Sequence, residues 1–352
     1  MTRSIKPIEV EGKYIVFEGR RLLNLCSNDY LGIGADEALR KKFLDEFVRS
    51  KRAISLPSAR LLSGNSSVYT ELETLLAKQT NREKALLFNS GYHANVGIYS
   101  SLVGAQDVVF CDRLNHASII DGIKLGGAKL IPFKHLDYED LKSKLKKYRQ
   151  KYRKAIISTE SLFSMDGDFF DLGTLVELKK EFNCALVVDE AHSFGVWGYG
   201  LVANSPLNSE VDLIMATFGK AIGSYGAFCV SDEATIKHLV NNARPFIFST
   251  VFPQISASFA DFVLREGDLS TRAQTLRETF LKLNKKSHII PHILGEDSTA
   301  LKASEMLIKE GFYALPIRYP TVAKGSARIR LSLTSLITPQ EVEKALKILT
   351  NA

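Results

Sequence analysis

Short apolar runs alternate with amphipathic stretches through the middle of this chain, and this alternation limits the folds open to it. The runs with the length and β-branched content of strands are residues 85–88, 107–110, 129–133, 155–159, 185–188, 213–217 and 227–230. Helical patterns occupy residues 68–79, 92–102, 137–152 and 172–182. Several of the runs are apolar throughout, as expected when helices cover both faces of a parallel sheet. The sequence therefore predicts an α/β fold with a mainly parallel sheet and right-handed crossovers.

The pattern changes after about residue 252. Long helical stretches come first, and the predicted elements after them are a strand at 288–293, a helix at 298–310, strands at 312–317 and 328–333, and a helix from Pro339. This order predicts a smaller α+β domain, completed by N-terminal strands at 14–17 and 21–25. We expect an N-terminal segment at 1–40 that packs with the small domain, a large domain at 41–255, and the small domain at 256–352.

Charge and cysteine content exclude several classes of function. The net charge of +7 permits an anionic substrate, but the main lysine run at 142–154 alternates with apolar residues at helical spacing. It is therefore typical of a solvated helix face, and no nucleic-acid partner is predicted. The four cysteines form neither a CxxC pair nor a Cys/His cluster, which argues against a zinc site and against a disulfide framework.

The N-terminal residues carry no apolar signal region, and no uninterrupted apolar run reaches the length of a membrane span. From the sequence we expect a cytoplasmic protein without a membrane partner.

The apolar run at 185–188 ends in a carboxylate, Asp189, and His192 follows three residues later. The motif Asp-Glu-Ala-His also occurs in helicase-like NTPases. In addition, an aspartate at the end of a strand often only caps the following helix. An NTPase of that kind needs a glycine-rich phosphate loop that ends in Gly-Lys-Ser/Thr. The sequence contains no such loop, so an NTPase is excluded.

Lys220 follows another apolar run and is surrounded by small residues, with Thr217 three positions before it. An ordinary surface lysine needs no such setting. A lysine that bonds covalently to a carbonyl cofactor needs close approach of the backbone and an amine with a lowered pKa. The Thr217 hydroxyl is placed to bind a phosphate from the same loop.

Two more strand ends carry polar groups that are weak signals when taken singly. Ser90, Gly91 and Tyr92 lead from a strand into a helix, whose N-terminal N–H groups favour a phosphate. His116 also follows a strand, where a flat imidazole can stack on an aromatic ring, although a lone histidine more often caps a helix.

Together these strand ends fit one cofactor, pyridoxal 5'-phosphate, because ligands of α/β sheets collect where strands end and helices begin. Lys220 would form the Schiff base, and Asp189 would keep the pyridine nitrogen protonated so that the ring acts as an electron sink. His116 would cover the ring face. His192 would contact the ring oxygen or the incoming substrate.

In this combination the sequence resembles the α-oxoamine synthases, which are fold-type-I pyridoxal-phosphate enzymes that condense an amino acid with an acyl thioester. The matching segments, in family order, are 27–32 (SNDYLG), 112–118, 160–168, 189–192 (DEAH), 217–220 (TFGK) and 327–334 (ARIRLSLT). They extend from residue 27 to residue 334, nearly the whole length of the chain, which makes the resemblance highly specific.

The resemblance implies roles for five further residues. Asn28 and Arg330 match the residues that approach the amino-acid substrate, with Arg330 on its carboxylate. Ser164 matches a cofactor-site serine. Ser249 and Thr250 match the segment that reaches the phosphate of the other subunit, which implies a homodimer with the active site at the subunit interface.

Within the family, the segments at 58–65 and 316–322 resemble most the branch that makes 8-amino-7-oxononanoate for biotin. This implies condensation of L-alanine with pimeloyl-CoA or a pimeloyl-acyl-carrier protein, with loss of CO2. The alternatives are a glycine C-acetyltransferase that makes 2-amino-3-ketobutyrate, or another acyl-CoA:amino-acid C-acyltransferase. A catalytically silent scaffold subunit is the non-enzyme alternative, but such partners typically lose the Schiff-base lysine, and Lys220 is present.

The sequence departs from the family pattern in three places. The usual N-terminal amphipathic helix is lacking, the often glycine-rich loop at 54–58 reads ISLPS, and the stretch at 195–200 is shortened. The first two lie where the acyl chain or its carrier is expected, so they bear on the acyl donor and not on the cofactor.

Overall fold

A computed structural model describes residues 6–351 of the chain. Its strands, in chain order, are β1 (Glu9–Glu11), β2 (Tyr14–Phe17), β3 (Arg20–Asn24), β4 (Lys84–Phe88), β5 (Val108–Asp112), β6 (Lys129–Phe133), β7 (Ala155–Glu160), β8 (Ala185–Asp189), β9 (Leu213–Thr217), β10 (Ala227–Ser231), β11 (Ile289–Gly295), β12 (Phe312–Tyr313), β13 (Pro316–Ile317) and β14 (Ala327–Ser332). Its α-helices are α1 (Glu37–Arg49), α2 (Ser67–Gln79), α3 (Gly91–Leu102), α4 (Ala117–Gly126), α5 (Tyr138–Tyr148), α6 (Leu172–Phe182), α7 (Glu233–Asn242), α8 (Arg244–Ile247), α9 (Gln254–Glu266), α10 (Leu269–Lys282), α11 (Asp297–Lys309) and α12 (Pro339–Thr350).

The large sheet has seven strands in the order β4-β10-β9-β8-β7-β5-β6. All neighbours pair in parallel except β10, which runs antiparallel to both β4 and β9. The short turn from β9 back into β10 explains this exception, because a parallel return would need a long crossover. The predicted α/β fold with a mainly parallel sheet is confirmed.

Two apolar cores cover the two faces of this sheet. Alternate residues of β5 point to opposite faces, so Val108 and Phe110 join one core while Val109 joins the other. The first core includes residues of α2, α5 and α6, and the second includes residues of α3, α4 and α7. Every residue of β5, β7, β9 and β10 is buried, which explains why their sequences are almost free of charge.

The predicted elements of the large sheet lie within a few residues of the observed ones. The predicted helix at 137–152 is too long, because Asp137 is the N-cap of α5 and its side chain accepts from the N–H of Asp140. The α-helix ends at Tyr148, and residues 149–151 form a 3₁₀ turn.

The prediction of one strand at 312–317 is wrong. Its first half, β12, pairs in parallel with β3 of the N-terminal sheet, whereas its second half, β13, pairs with β14. Pro316 has no N–H and cannot continue an unbroken ladder, so the chain passes from one sheet to another at this point. The N-terminal sheet has the order β1-β2-β3-β12, and the third sheet has the order β11-β14-β13. The domain boundaries at 40/41 and 255/256 remain predictions.

No helix in residues 6–351 is both long and apolar enough to cross a membrane. In the same residues, no group of histidine, cysteine, aspartate and glutamate side chains is arranged to hold a metal ion.

Candidate active site

A cavity of about 180 Å³ lies at the carboxyl ends of the parallel strands, where the sequence predicted the site. The predicted residues that line it are Gly91, Tyr92, His116, Asp189, His192, Thr217 and Lys220. They come from the last residues of β8 and β9 and from the segments that follow β4, β5, β8 and β9. Because parallel strands bring these segments to one edge, residues far apart in the sequence share one cavity.

Lys220 lies in the turn between β9 and β10, and its Nζ is 2.8 Å from Nε2 of His192. Loss of hydration around the amine lowers the pKa of Lys220 to about 8, although the nearby charges of Asp189 and Glu160 oppose this change. An amine with this pKa is partly neutral near physiological pH. It can therefore attack a carbonyl carbon or accept a proton, which an ordinary lysine does poorly.

Asp189 ends β8 and is buried, with 6% of its surface exposed. Its hydrogen bonds from described residues come from neutral groups, namely the Asn95 amide at 2.9 Å and the Ala191 N–H at 2.8 Å. A buried carboxylate that accepts no hydrogen bond from a cation suits a ligand that brings a protonated nitrogen. The pyridine nitrogen of pyridoxal phosphate is such a group.

The opposite end of the cavity suits a phosphate. Helix α3 begins at Gly91, and the first N–H groups of a helix have no partner inside it. Ser90 is the N-cap and accepts from the His93 N–H. A Cβ on Gly91 would lie 3.7 Å from that of Thr217, so the helix N-terminus and the Thr217 hydroxyl are close together.

Sequence reasoning assigned no role to Asn95 or Glu160, yet both line the cavity. Asn95 lies one helical turn after Gly91, and its amide also donates to Ser118, whose hydroxyl contacts Nδ1 of His116. It thus connects the carboxylate of Asp189 with the predicted stacking histidine. The i, i+4 spacing from Gly91 was the sequence signal that could have found it.

Glu160 is the last residue of β7 and accepts from the N–H of His116 at 2.6 Å. Burial, together with the charge of Asp189, raises the pKa of Glu160 well above its usual value. This shift favours the protonated form of Glu160. Burial also lowers the pKa of His116. Its uncharged ring is suited to packing against a ligand face.

A second cluster lies beside Lys220 and contains both residues predicted to meet the substrate. Nδ1 of His192 is 2.6 Å from the hydroxyl of Tyr30. Arg330, on β14, donates to that hydroxyl at 3.3 Å and to Oδ1 of Asn28 at 3.3 and 3.4 Å. The Arg330 guanidinium is buried, and its Nε has no partner among the described residues. A buried cation with unused donors is suited to a carboxylate ligand.

Six predicted residues do not line the cavity of this chain, namely Asn28, Ser90, Ser164, Ser249, Thr250 and Arg330. Ser164 is half-buried in the loop after β7. Ser249 is half-buried and Thr250 is exposed, in the segment between α8 and α9, where the Thr250 carbonyl accepts from Asn89. The cofactor-binding roles predicted for Ser164, Ser249 and Thr250 remain predictions.

His135 connects the two loops that follow β5 and β7. Its Nδ1 and Nε2 each lie 3.0 Å from a carboxylate, of Asp112 and Asp168 respectively. Burial opposes protonation, but the hydrogen bonds to these carboxylates outweigh it and raise the pKa of His135 to about 9. The folded protein therefore holds this proton more tightly than the unfolded chain does.

We expect the stabilisation from His135 to be complete below pH 6.5 and to be lost as the pH rises to about 9. Relative to His135→Asn, the wild type should lose up to about 3 kcal/mol of unfolding free energy over this range. Urea denaturation of both proteins at pH 6.5 and above pH 9 measures the difference. A difference that stays constant with pH would show that His135 is not protonated in the folded state.

The relatives of the chain identify the family to which this site belongs. The family model described as aminotransferase class I and II matches residues 20–349. A protein of Haemophilus influenzae named "Putative 8-amino-7-oxononanoate synthase" is 42% identical over 358 aligned positions, which cover 97% of this chain and 94% of the relative. The chain belongs to the aminotransferase class I and II family, as an α-oxoamine synthase.

Solved structures of other α-oxoamine synthases have the same fold. A serine palmitoyltransferase from S. paucimobilis, with a bound PLP–myriocin aldimine, is 25% identical and has a TM-score of 0.90 over 99% of this chain and 91% of that one. The 8-amino-7-oxononanoate synthase from Francisella tularensis is 27% identical, with a TM-score of 0.75 over 94% of this chain and 97% of that one.

This membership fixes the cofactor and the class of chemistry. The protein is a pyridoxal-phosphate-dependent acyltransferase with the fold-type-I architecture. The buried carboxylate of Asp189, the helix N-terminus at Gly91 and the low-pKa amine of Lys220 are the groups that this cofactor requires of a protein.

Proposed function

We propose that the protein condenses L-alanine with a pimeloyl thioester and releases CO2 and the free thiol, giving 8-amino-7-oxononanoate. The observation that carries the proposal is the chain of contacts from Lys220 through His192 and Tyr30 to Arg330, which sets a carboxylate receptor near the reactive amine. An α-amino acid needs both groups. The acyl part of the proposal is supported by the names of the relatives.

The residues that would hold the cofactor follow from the geometry. Lys220 would bond to its aldehyde, Asp189 would bind its ring nitrogen, and His116 would cover its ring. The phosphate would be held by the N–H groups at the start of α3 and by Thr217. When bound, the cofactor supplies an electron sink for negative charge at the α-carbon of the amino acid.

The side chains of the protein would then bind the substrate and move protons. Arg330 and Asn28 would hold the alanine carboxylate. Once substrate has displaced it, the Lys220 amine would take the α-proton, a task that suits a base with a pKa near the working pH. His192, within hydrogen-bond distance of Lys220, would orient the amine and the acyl carbonyl.

We further propose that the protein is a cytoplasmic homodimer, in which Ser249 and Thr250 of one subunit bind the cofactor phosphate of the other. The position of this segment supports the idea, because Thr250 is exposed and Phe248 beside it is 70% exposed. An exposed apolar side chain beside Ser249 and Thr250 is available for contact with a second subunit.

Replacement of Arg330 by lysine should raise the KM for alanine about 10- to 100-fold, because a lysine cannot make two parallel hydrogen bonds to a carboxylate. Steady-state kinetics with alanine and with alanine amide, which lacks the carboxylate, measure the effect. The KM for the amide should change little. If the KM rises equally for both substrates, Arg330 does not bind the carboxylate.

The proposed substrates are tested by a matrix of donors and acceptors. The purified holoenzyme is incubated with alanine, glycine or serine, each with a pimeloyl, acetyl or palmitoyl thioester on CoA or on carrier protein, and thiol release is followed. The serine–palmitoyl pair is included because serine palmitoyltransferases have a similar fold. Alanine with the pimeloyl donor should react fastest, and a faster reaction of glycine or serine would refute the assignment.

A further inference from the structure

The phenol of Tyr30 lies between the two ends of the candidate site. Its hydroxyl is 2.6 Å from Nδ1 of His192 and 3.3 Å from a guanidinium nitrogen of Arg330. The residue is fully buried and belongs to the N-terminal segment instead of the strand edge that supplies the cavity. The roles proposed for the other residues do not explain why a hydroxyl is placed here.

His192 is uncharged in this setting. Burial, and then the positive charges of Lys220 and Arg330, lower the pKa of His192 well below its usual value, with smaller effects from His288 and His116. A neutral imidazole carries one ring proton, on either Nδ1 or Nε2.

The donors and acceptors around His192 decide which of its two ring nitrogens carries the proton. Lys220 in its ammonium form only donates, so Nε2 of His192 must accept from it at 2.8 Å. The ring proton then lies on Nδ1 and is donated to the Tyr30 oxygen at 2.6 Å. Tyr30 donates its own proton to Oδ1 of Asn28 at 3.1 Å, and Arg330, which also only donates, adds a second bond to the Tyr30 oxygen. In this arrangement every contact has one donor and one acceptor.

His288 holds the Tyr30 ring without competing for its hydroxyl. The two ring centroids are 4.1 Å apart in an edge-on arrangement, and Trp197 packs on His288 at 5.6 Å. Neither nitrogen of His288 has a hydrogen-bond partner among the described residues. The Tyr30 ring is therefore fixed by packing, while its hydroxyl is fixed by the cluster.

We propose that Tyr30 is a positioning residue whose hydroxyl links Arg330 to His192 and holds the ring proton of His192 on Nδ1, so that Nε2 stays free to accept from Lys220. The proposal rests on the proposed function for the roles of Lys220 and Arg330. In this role the Tyr30 hydroxyl connects the part of the site that binds the substrate carboxylate with the part that moves the proton.

The test is Tyr30→Phe, followed by 15N NMR of the histidine nitrogens in the full-length protein before cofactor is added, about one unit below the pKa of Lys220, so that Lys220 is mainly in its ammonium form. Without the hydroxyl, the proton on Nδ1 loses its acceptor, so the ratio of the Nδ1–H to the Nε2–H form should fall about tenfold. Tyr99→Phe is the matched control, because Tyr99 is also fully buried but its hydroxyl bonds to Ser158. It should leave the spectrum of His192 unchanged.

A second measurement uses the holoenzyme. Loss of the acceptor on Nδ1 disfavours the ammonium form of Lys220, so the pH at which kcat reaches half of its plateau should fall by about one unit in Tyr30→Phe. A merely structural role would lower kcat without moving this pH.

An unchanged tautomer ratio in Tyr30→Phe would overturn the proposal. If instead the wild type turns over no amino acid with any thioester, the proposed function fails. The NMR measurement uses no substrate and would still decide the role of Tyr30.

Discussion

Replacement of Lys220 by alanine should abolish the condensation reaction and the covalent attachment of the cofactor together. Loss of the base alone lowers the rate by about 10²- to 10⁴-fold, and loss of the covalent anchor adds to this. Borohydride reduction followed by peptide mass spectrometry should attach the cofactor to the Lys220 peptide of the wild type, and to no peptide of the variant.

Lys179→Ala is a suitable control for this experiment. Lys179 also lies mostly buried, but its ammonium is 2.7 Å from Asp212, next to the amino end of β9 and away from the cavity. This variant should lose some stability and keep the reduced cofactor on Lys220. Cofactor attached by borohydride to Lys220→Ala would mean that another lysine is the anchor.

Replacement of Asp189 by asparagine should cause the second largest loss of activity, after replacement of Lys220. The side chain keeps its size and can still accept from the Ala191 N–H, but the negative charge is lost. Removing one partner of a buried charge pair costs about 3–5 kcal/mol, which corresponds to a fall in kcat of about 10²- to 10⁴-fold. Steady-state kinetics with saturating cofactor measure the effect.

Asp107→Asn separates this effect from a general loss of stability. Asp107 is also a fully buried carboxylate, but it precedes β5 at the opposite edge of the sheet and binds Arg153. It should lower the unfolding free energy and leave kcat near the wild-type value. If Asp189→Asn retains kcat within about threefold, a factor well below the loss expected for a broken charge pair, the ring nitrogen is not held by this carboxylate.

The sequence was sufficient to predict the large sheet and the edge of this sheet at which the polar site residues lie. Short apolar runs such as 213–217 and 185–188 have the length and composition of buried strands, and parallel strands place the residues after them at one edge. This rule predicts that Lys220, Asp189 and His116 lie together. The same rule also places Glu160, the last residue of β7, at this edge.

The sequence was not sufficient where contacts join distant segments. Tyr30 and His192 are 162 positions apart, and no periodicity reports that their side chains meet. The run at 312–317 shows the same limit, because apolar spacing identifies a strand but not the sheet that each half joins. Ser249 and Thr250 were identified by resemblance alone, and their predicted partner is a second subunit.

The most direct test of the proposed reaction follows the carboxyl carbon of alanine. The holoenzyme is given [1-13C]alanine with and without a pimeloyl thioester, and 13CO2, free thiol and product mass are measured together. We predict one 13CO2 for each thiol released, only when the thioester is present, with a product of the mass of 8-amino-7-oxononanoate. Thiol release without 13CO2, or conversion of alanine to pyruvate, would contradict the account.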